Sequence, residues 1–147
     1  MQVDVVSEIV IERSVAVVAA YVSDPSNAPN WYVNIGFVEW KTPPPAQEGS
    51  LVEFVAQFLG RTLRYTYEVV ELVSDERLVM RTAQGPFPMQ TTYTWDPVSS
   101  GATRMTLRNT GEPAGFSKVA MPLMTRAIRR ANRKDLAALK ALLEADQ

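Results

Sequence analysis

Three tyrosines and one aspartate hold the acid–base chemistry this sequence offers. Tyr65 and Tyr67 stand two residues apart in an alternating segment, Tyr93 lies in a later one, and Asp135 interrupts the apolar stripe of a helical segment. Alternation puts Leu63, Tyr65, Tyr67 and Val69 on one strand face and Arg64, Thr66 and Glu68 on the other. Phenol hydroxyls can orient a carbonyl or hydroxyl while their rings supply contact area. A carboxylate on an apolar face is costly unless a cation or hydrogen-bond donors meet it. Asp135 therefore has two readings. One is a cavity acid or base with a raised pKa; the other, preferred, is a structural acceptor for a backbone amide, indole or arginine.

The 147 residues contain neither histidine nor cysteine. Serine–histidine and cysteine–histidine catalysis are excluded, as are disulfides and zinc–thiolate centres. The carboxylates show no clustered ligand spacing, so neither a metal nor any other cofactor is expected. Lysine and arginine total 15 against 16 aspartates and glutamates, which gives no general attraction to nucleic acid or anionic membrane. The apolar run Val15 to Val22 falls far short of the ~20 residues of a spanning helix, and acidic residues before it do not suit an export signal. The expectation is a cytoplasmic protein with no integral membrane association.

Positioning such groups requires a core, and 46% hydrophobic with 21% charged residues suits one globular domain over residues 1–147. Val3 to Glu12 reads as a strand, followed by Ser14 as N-cap of a helix from Val15 to Val22. Asp24-Pro25 opens a second short helix to about Tyr32. Strands follow at Phe37 to Lys41, Leu51 to Leu59, Thr62 to Leu72, Arg77 to Thr82, Met89 to Trp95 and Ala102 to Asn109, with a hairpin at Gly60. Short sequential connections argue an antiparallel meander. From about Gly115 to Glu144 the period becomes helical: Met121, Met124, Ile128, Ala131, Leu139 and Leu142 share one face. Pro122 either kinks this helix or starts it.

The stretches Val18 to Trp31 (VAAYVSDPSNAPNW), Gly60 to Leu72 (GRTLRYTYEVVEL) and Asp135 to Glu144 (DLAALKALLE) carry a family likeness. Together with the order of elements, they resemble the SRPBCC, or START-like, helix-grip superfamily, in its bacterial polyketide cyclase/dehydratase-like branch. The resemblance implies an α+β fold: a seven-stranded curved antiparallel sheet wrapped around a long C-terminal helix, with two short helices after strand 1. It also implies a hydrophobic pocket between sheet and helix. That superfamily has no universal catalytic motif to transfer.

The expected ligand-binding wall comprises Phe54 and Phe58, the inward Tyr65 and Tyr67, Tyr93 and Trp95, Met105 and Asn109, and Met121, Met124 and Ile128 from the helix. Such a wall suits a hydrophobic small molecule: a lipid, a polyketide or an aromatic metabolite. The competing reading of the rings is an aromatic core. Six methionines favour an adaptable interior. Binding is the leading function; a metal-independent cyclase or dehydratase using Tyr65, Tyr67, Tyr93 and Asp135 is the alternative. A third reading is a protein-interaction or chaperone-regulator module using Trp31-Tyr32 or the stripe Arg126, Arg129, Arg130, Arg133 and Lys134. The bland reading of that stripe, a solvated helix face, is preferred.

Overall fold

The computed structural model describes residues 3–58, 60–85, 88–112 and 120–145, with side chains except that of Phe58. β1 (Val3–Ile11) leads into α1 (Val15–Val22), a 3₁₀ turn (Pro25–Asn27) and α2 (Ala28–Trp31). Six strands follow: β2 (Ile35–Trp40), β3 (Leu51–Phe58), β4 (Arg61–Val73), β5 (Arg77–Gln84), β6 (Met89–Ser99) and β7 (Ala102–Gly111). α3 (Met121–Ala145) ends the described chain.

Local chemistry explains the first half. The Ser14 hydroxyl accepts from the Val17 N–H at 3.4 Å and caps α1, and Asp24 accepts from the Ser26 N–H at 3.0 Å. The second helix predicted from Asp24 to Tyr32 is instead divided. Pro29 has no N–H to donate to the Pro25 carbonyl, so the turn closes with the 3₁₀ bond from Ala28 to Pro25 and α2 begins anew.

The sheet order is β1-β7-β6-β5-β4-β3-β2, antiparallel throughout. A meander of six strands is closed at one edge by the first, Val3 pairing with Gly111 and Ile11 with Thr103. Register shifts at Ile35/Phe37, Thr66/Tyr67, Val69/Glu71 and Pro97/Ser99 add twist to an already long sheet. It curls around α3, the helix-grip arrangement. Gly60 turns the β3–β4 hairpin at φ +77°, a conformation glycine adopts without a Cβ penalty.

Strand ends differ modestly from the sequence reading: β2 starts at Ile35, β5 runs on to Gln84 and β6 passes through Pro97 to Ser99. Residues 115–119 of the predicted helix lie outside the described residues. Pro122 is the second residue of α3, where its missing N–H has no intrahelical partner to serve, so it starts the helix rather than kinking it.

The main core joins Ile11, Val18 and Val69 to Leu78, Met105 and Leu107 of the sheet and to Leu136, Leu139 and Leu143 of α3. Leu143 is buried where Leu142 was expected, and Leu142 is only half-buried. The C-terminal end of α3 is fastened to the β1–α1 corner. Arg13 donates to the Leu143 carbonyl at 2.6 Å, Lys140 to the Val10 carbonyl at 2.8 Å, and the Glu12 N–H to Glu144 at 2.9 Å. A smaller cluster of Val3, Val5, Met121, Met124 and Ile128 sits under the other end of the helix. No described helix is long and apolar enough to cross a membrane.

Candidate functional site

Between the sheet, α2 and the N-terminal half of α3 lies a cavity of about 160 Å³. At about 10–15 Å³ needed per water, it is far larger than a packing void. Successive strands of the meander deliver inward-facing residues to the wall: Phe54 from β3, Leu63, Tyr65 and Tyr67 from β4, and Met80 from β5. β6 and β7 add Met89, Thr91, Tyr93 and Asn109, while α3 closes the space with Met124, Ile128, Asn132 and Asp135. Trp31 and Tyr32, at the end of α2, complete it.

The aromatic side is assembled from contacts at ordinary ring separations. Tyr65 and Tyr67 stack with centroids 6.0 Å apart, and Phe54 meets Tyr67 edge-on at 5.6 Å. Trp31 lies 4.1 Å from Tyr32 and 6.0 Å from Tyr93. Burial pushes the Tyr65 and Tyr67 hydroxyls up to about 12. Burial first, then the neighbouring phenol and the Asp135 carboxylate, raise Tyr32 well above the usual tyrosine range; burial is also the main cause at Tyr93. All four phenols therefore stay protonated near neutrality, as hydrogen-bond donors and not as bases.

Two polar groupings interrupt this wall. In the first, the Tyr32 and Tyr93 hydroxyls bond to each other, and Asp135 Oδ1 accepts from the Val33 N–H at 2.9 Å. Burial raises the Asp135 carboxyl to about 6, against the opposing pull of that N–H. In the second, the Thr91 hydroxyl donates to Asn109 Oδ1 at 2.6 Å and Asn109 Nδ2 donates to Asn132 Oδ1 at 3.2 Å. Among the described residues, Asn132 Nδ2 is buried with no hydrogen-bond partner, an amide donor on a residue of the cavity wall. The arrangement supplies donors for ligand oxygens and one carboxyl able to exchange a proton near neutrality.

Of the residues expected from the sequence, Phe54, Tyr65, Tyr67, Tyr93, Asn109, Met124 and Ile128 come together on the wall. Trp95, Met105 and Met121 do not. Trp95 and Met105 are paired across β6 and β7 and buried in the main core, and Met121 packs with Val3 and Val5. Alternation reports which face a residue occupies, not how far along the strand it sits. Phe58 ends β3, and its side chain lies outside the described residues. Trp31 is buried at 3% exposure, so the Trp31-Tyr32 segment is an inner wall and not the docking surface that the sequence reading entertained.

The sequence reading missed Tyr32, Thr91 and Asn132. Asn132 carried a legible signal, a polar residue four positions after Ile128 on the apolar stripe, the same signal that singled out Asp135. Tyr32 carried none, because it follows the end of a helix whose packing is not local.

Residues 2–144 match the profile of a family described as polyketide cyclase/dehydrase and lipid transport. No curated protein is significantly similar in sequence. The fold is similar to that of a START superfamily protein from Mycobacterium smegmatis, with TM-score 0.85, 14% identity, and 98% of this chain and 99% of that one covered. It is likewise similar to the Zhui aromatase/cyclase from Streptomyces sp. R1128, with TM-score 0.83, 12% identity and 98% and 94% coverage. A protein from Thermus thermophilus has TM-score 0.85, 19% identity and 98% and 99% coverage.

Proposed function

We propose, from the premise that the chain belongs to the polyketide cyclase/dehydrase and lipid-transport family, that it binds a largely apolar small molecule bearing oxygen functions in the cavity between sheet and α3. The observation that carries this reading is the makeup of the wall. Rings, methionines and aliphatic side chains supply most of it, while Tyr32 with Tyr93, Asp135 and the amide of Asn132 present a few polar groups. Binding pockets for small molecules are built in this proportion. Lipids, polyketides and aromatic metabolites are the classes that fit.

An apolar dye such as anilinonaphthalenesulfonate tests it. The folded protein is expected to take up the dye saturably and stoichiometrically, and its thermal transition to rise with dye concentration by mass action. A folded protein with no saturable site defeats the reading.

One observation favours a second reading, a cyclase- or dehydratase-type enzyme. Asp135, raised to about 6, shares the cavity with four protonated tyrosines. A carboxylate could take a proton from carbon beside a carbonyl while a phenol donates to the carbonyl oxygen. Mass spectrometry of an added β-hydroxyketone distinguishes the readings: loss of one water, abolished in Asp135→Asn, supports the enzyme, and unchanged substrate supports the binder.

A further inference from the structure

The cations of α3 do not share one environment. Arg126, Arg130 and Lys134, four residues apart, line a surface groove of about 400 Å³ with Leu123 and Ala127. Asn34, Gln57 and Ala131 belong both to this groove and to the wall of the cavity, so the groove adjoins the cavity. Arg133 is exposed outside it, and Arg129 is half-buried.

A solvated helix face would intersperse acids among such cations. Residues 121–134 contain none, and the first acid of α3 is the buried Asp135. Arg126 with Arg130, and Arg130 with Lys134, are like-charge neighbours at i,i+4, a spacing that destabilises a helix. Among the described residues, none of the three makes an ion pair or side-chain hydrogen bond, and no carboxylate lines the groove. The helix gains nothing from this placement. Leu123 is 65% exposed beside the cations, an apolar side chain on the groove.

We infer that the ligand is an anionic amphiphile, its apolar body in the cavity and a carboxylate or phosphate held in the adjoining groove by Arg126, Arg130 and Lys134. Arginines suit an oxyanion because their planar donors engage two oxygens at once. A concave groove adjoining the cavity fits an anion on the cavity's own ligand rather than a flat membrane. The inference rests on the cavity-binding reading and deepens it.

Paired probes test it on the intact chain: naphthylbutanoate, naphthylbutyl phosphate, and the neutral naphthylbutanol, titrated at low salt. The anions are expected to bind roughly tenfold more tightly than the alcohol, as charge-assisted hydrogen bonds outdo neutral ones, and to lose that preference as salt screens the site. In Arg126→Gln/Arg130→Gln the ratio of affinities is expected to fall to about one, whereas Arg133→Gln should keep it. Carboxylate or phosphate preference alone identifies which oxyanion the groove takes. Equal binding of alcohol and anions by the unaltered chain overturns the inference and leaves the cavity reading standing. A preference that survives in the double variant, or one lost equally in Arg133→Gln, overturns the assignment to this groove. Cosedimentation with phosphatidylglycerol vesicles without discrimination among the probes overturns it in favour of a membrane contact. Binding of none of the three probes removes the cavity reading as well.

Discussion

The phenol hydroxyls of Tyr32 and Tyr93 hydrogen-bond directly to one another, tying the end of α2 to β6 across the cavity wall. Each is the other's partner. Tyr93→Phe leaves the Tyr32 hydroxyl unpaired in an apolar setting, and Tyr32→Phe does the same to Tyr93, each at a cost of roughly 1–3 kcal/mol. The double replacement strands neither group, so it is expected to cost clearly less than the two singles summed. Urea denaturation of the four proteins in a double-mutant cycle measures this, and strict additivity would show that the two hydroxyls do not depend on each other.

Met105 and Met124 are chemically identical and nearly equally buried, but only Met124 faces the cavity. Met105→Ala removes a fully enclosed side chain and is expected to cost about 2–5 kcal/mol, with dye affinity in the folded protein unchanged. Met124→Ala enlarges an existing space, so less packing is lost; it should cost less stability and shift binding toward bulkier ligands. Denaturation midpoints and a dye series of graded size separate the two. Altered dye selectivity in Met105→Ala would place the ligand deeper than the present wall.

The fold was readable because its signals are local. Ser14 before an apolar run, Gly60 between two alternating segments and the helical stripe from Met121 each declare an element within a few residues. The cavity was readable only by face. Tyr65 and Trp95 are both inward residues on their strands, yet one lines the space and the other closes it off, because the depth of α3 in the sheet depends on Leu136, Leu139 and Leu143 packing far along the chain. Arg126 and Arg130 are exposed, in line with the solvated-face reading, but that they line a groove emerges only once Asn34 and Gln57 are brought to them.

Gly85 packs against the Tyr65 ring. A Cβ at this position would stand 2.6 Å from Tyr65 Cδ1 and 3.2 Å from Cε1, so the ring must move. Gly85→Ala is expected to cost about 1–3 kcal/mol, the usual range for overpacking, and to weaken dye binding by displacing a wall residue. In a Tyr65→Ala background the same substitution should be almost neutral, since the atoms it strikes are gone. An equal cost in both backgrounds would show that the ring is not what Gly85 accommodates.

Asp135 makes the pH dependence of stability testable. Its carboxyl titrates at about 6 in the folded chain against 3.8 in the absence of burial. Between those values the folded state holds a proton that the unfolded state has released, so stability falls as pH rises through the window and then levels off. The deficit above pH 6 is on the order of 3 kcal/mol. Asp4 and Glu144 work in the opposite direction, since Arg108 and Lys140 lower their carboxyls. The whole protein's profile therefore mixes signs, but its difference from Asp135→Asn isolates one group. The asparagine keeps an acceptor for the Val33 N–H and never ionises, so it should melt higher than the unaltered chain at pH 8 and about equally at pH 4. Asp135→Ala strands that N–H and should be the least stable of the three at pH 4, where the unaltered carboxyl is mostly protonated in the folded state. Superimposable stability profiles for the unaltered and asparagine proteins would mean that Asp135 ionises freely. A stabilised Asp135→Asn that has lost turnover would mark the ionised carboxylate as kept for chemistry, at the expense of the fold.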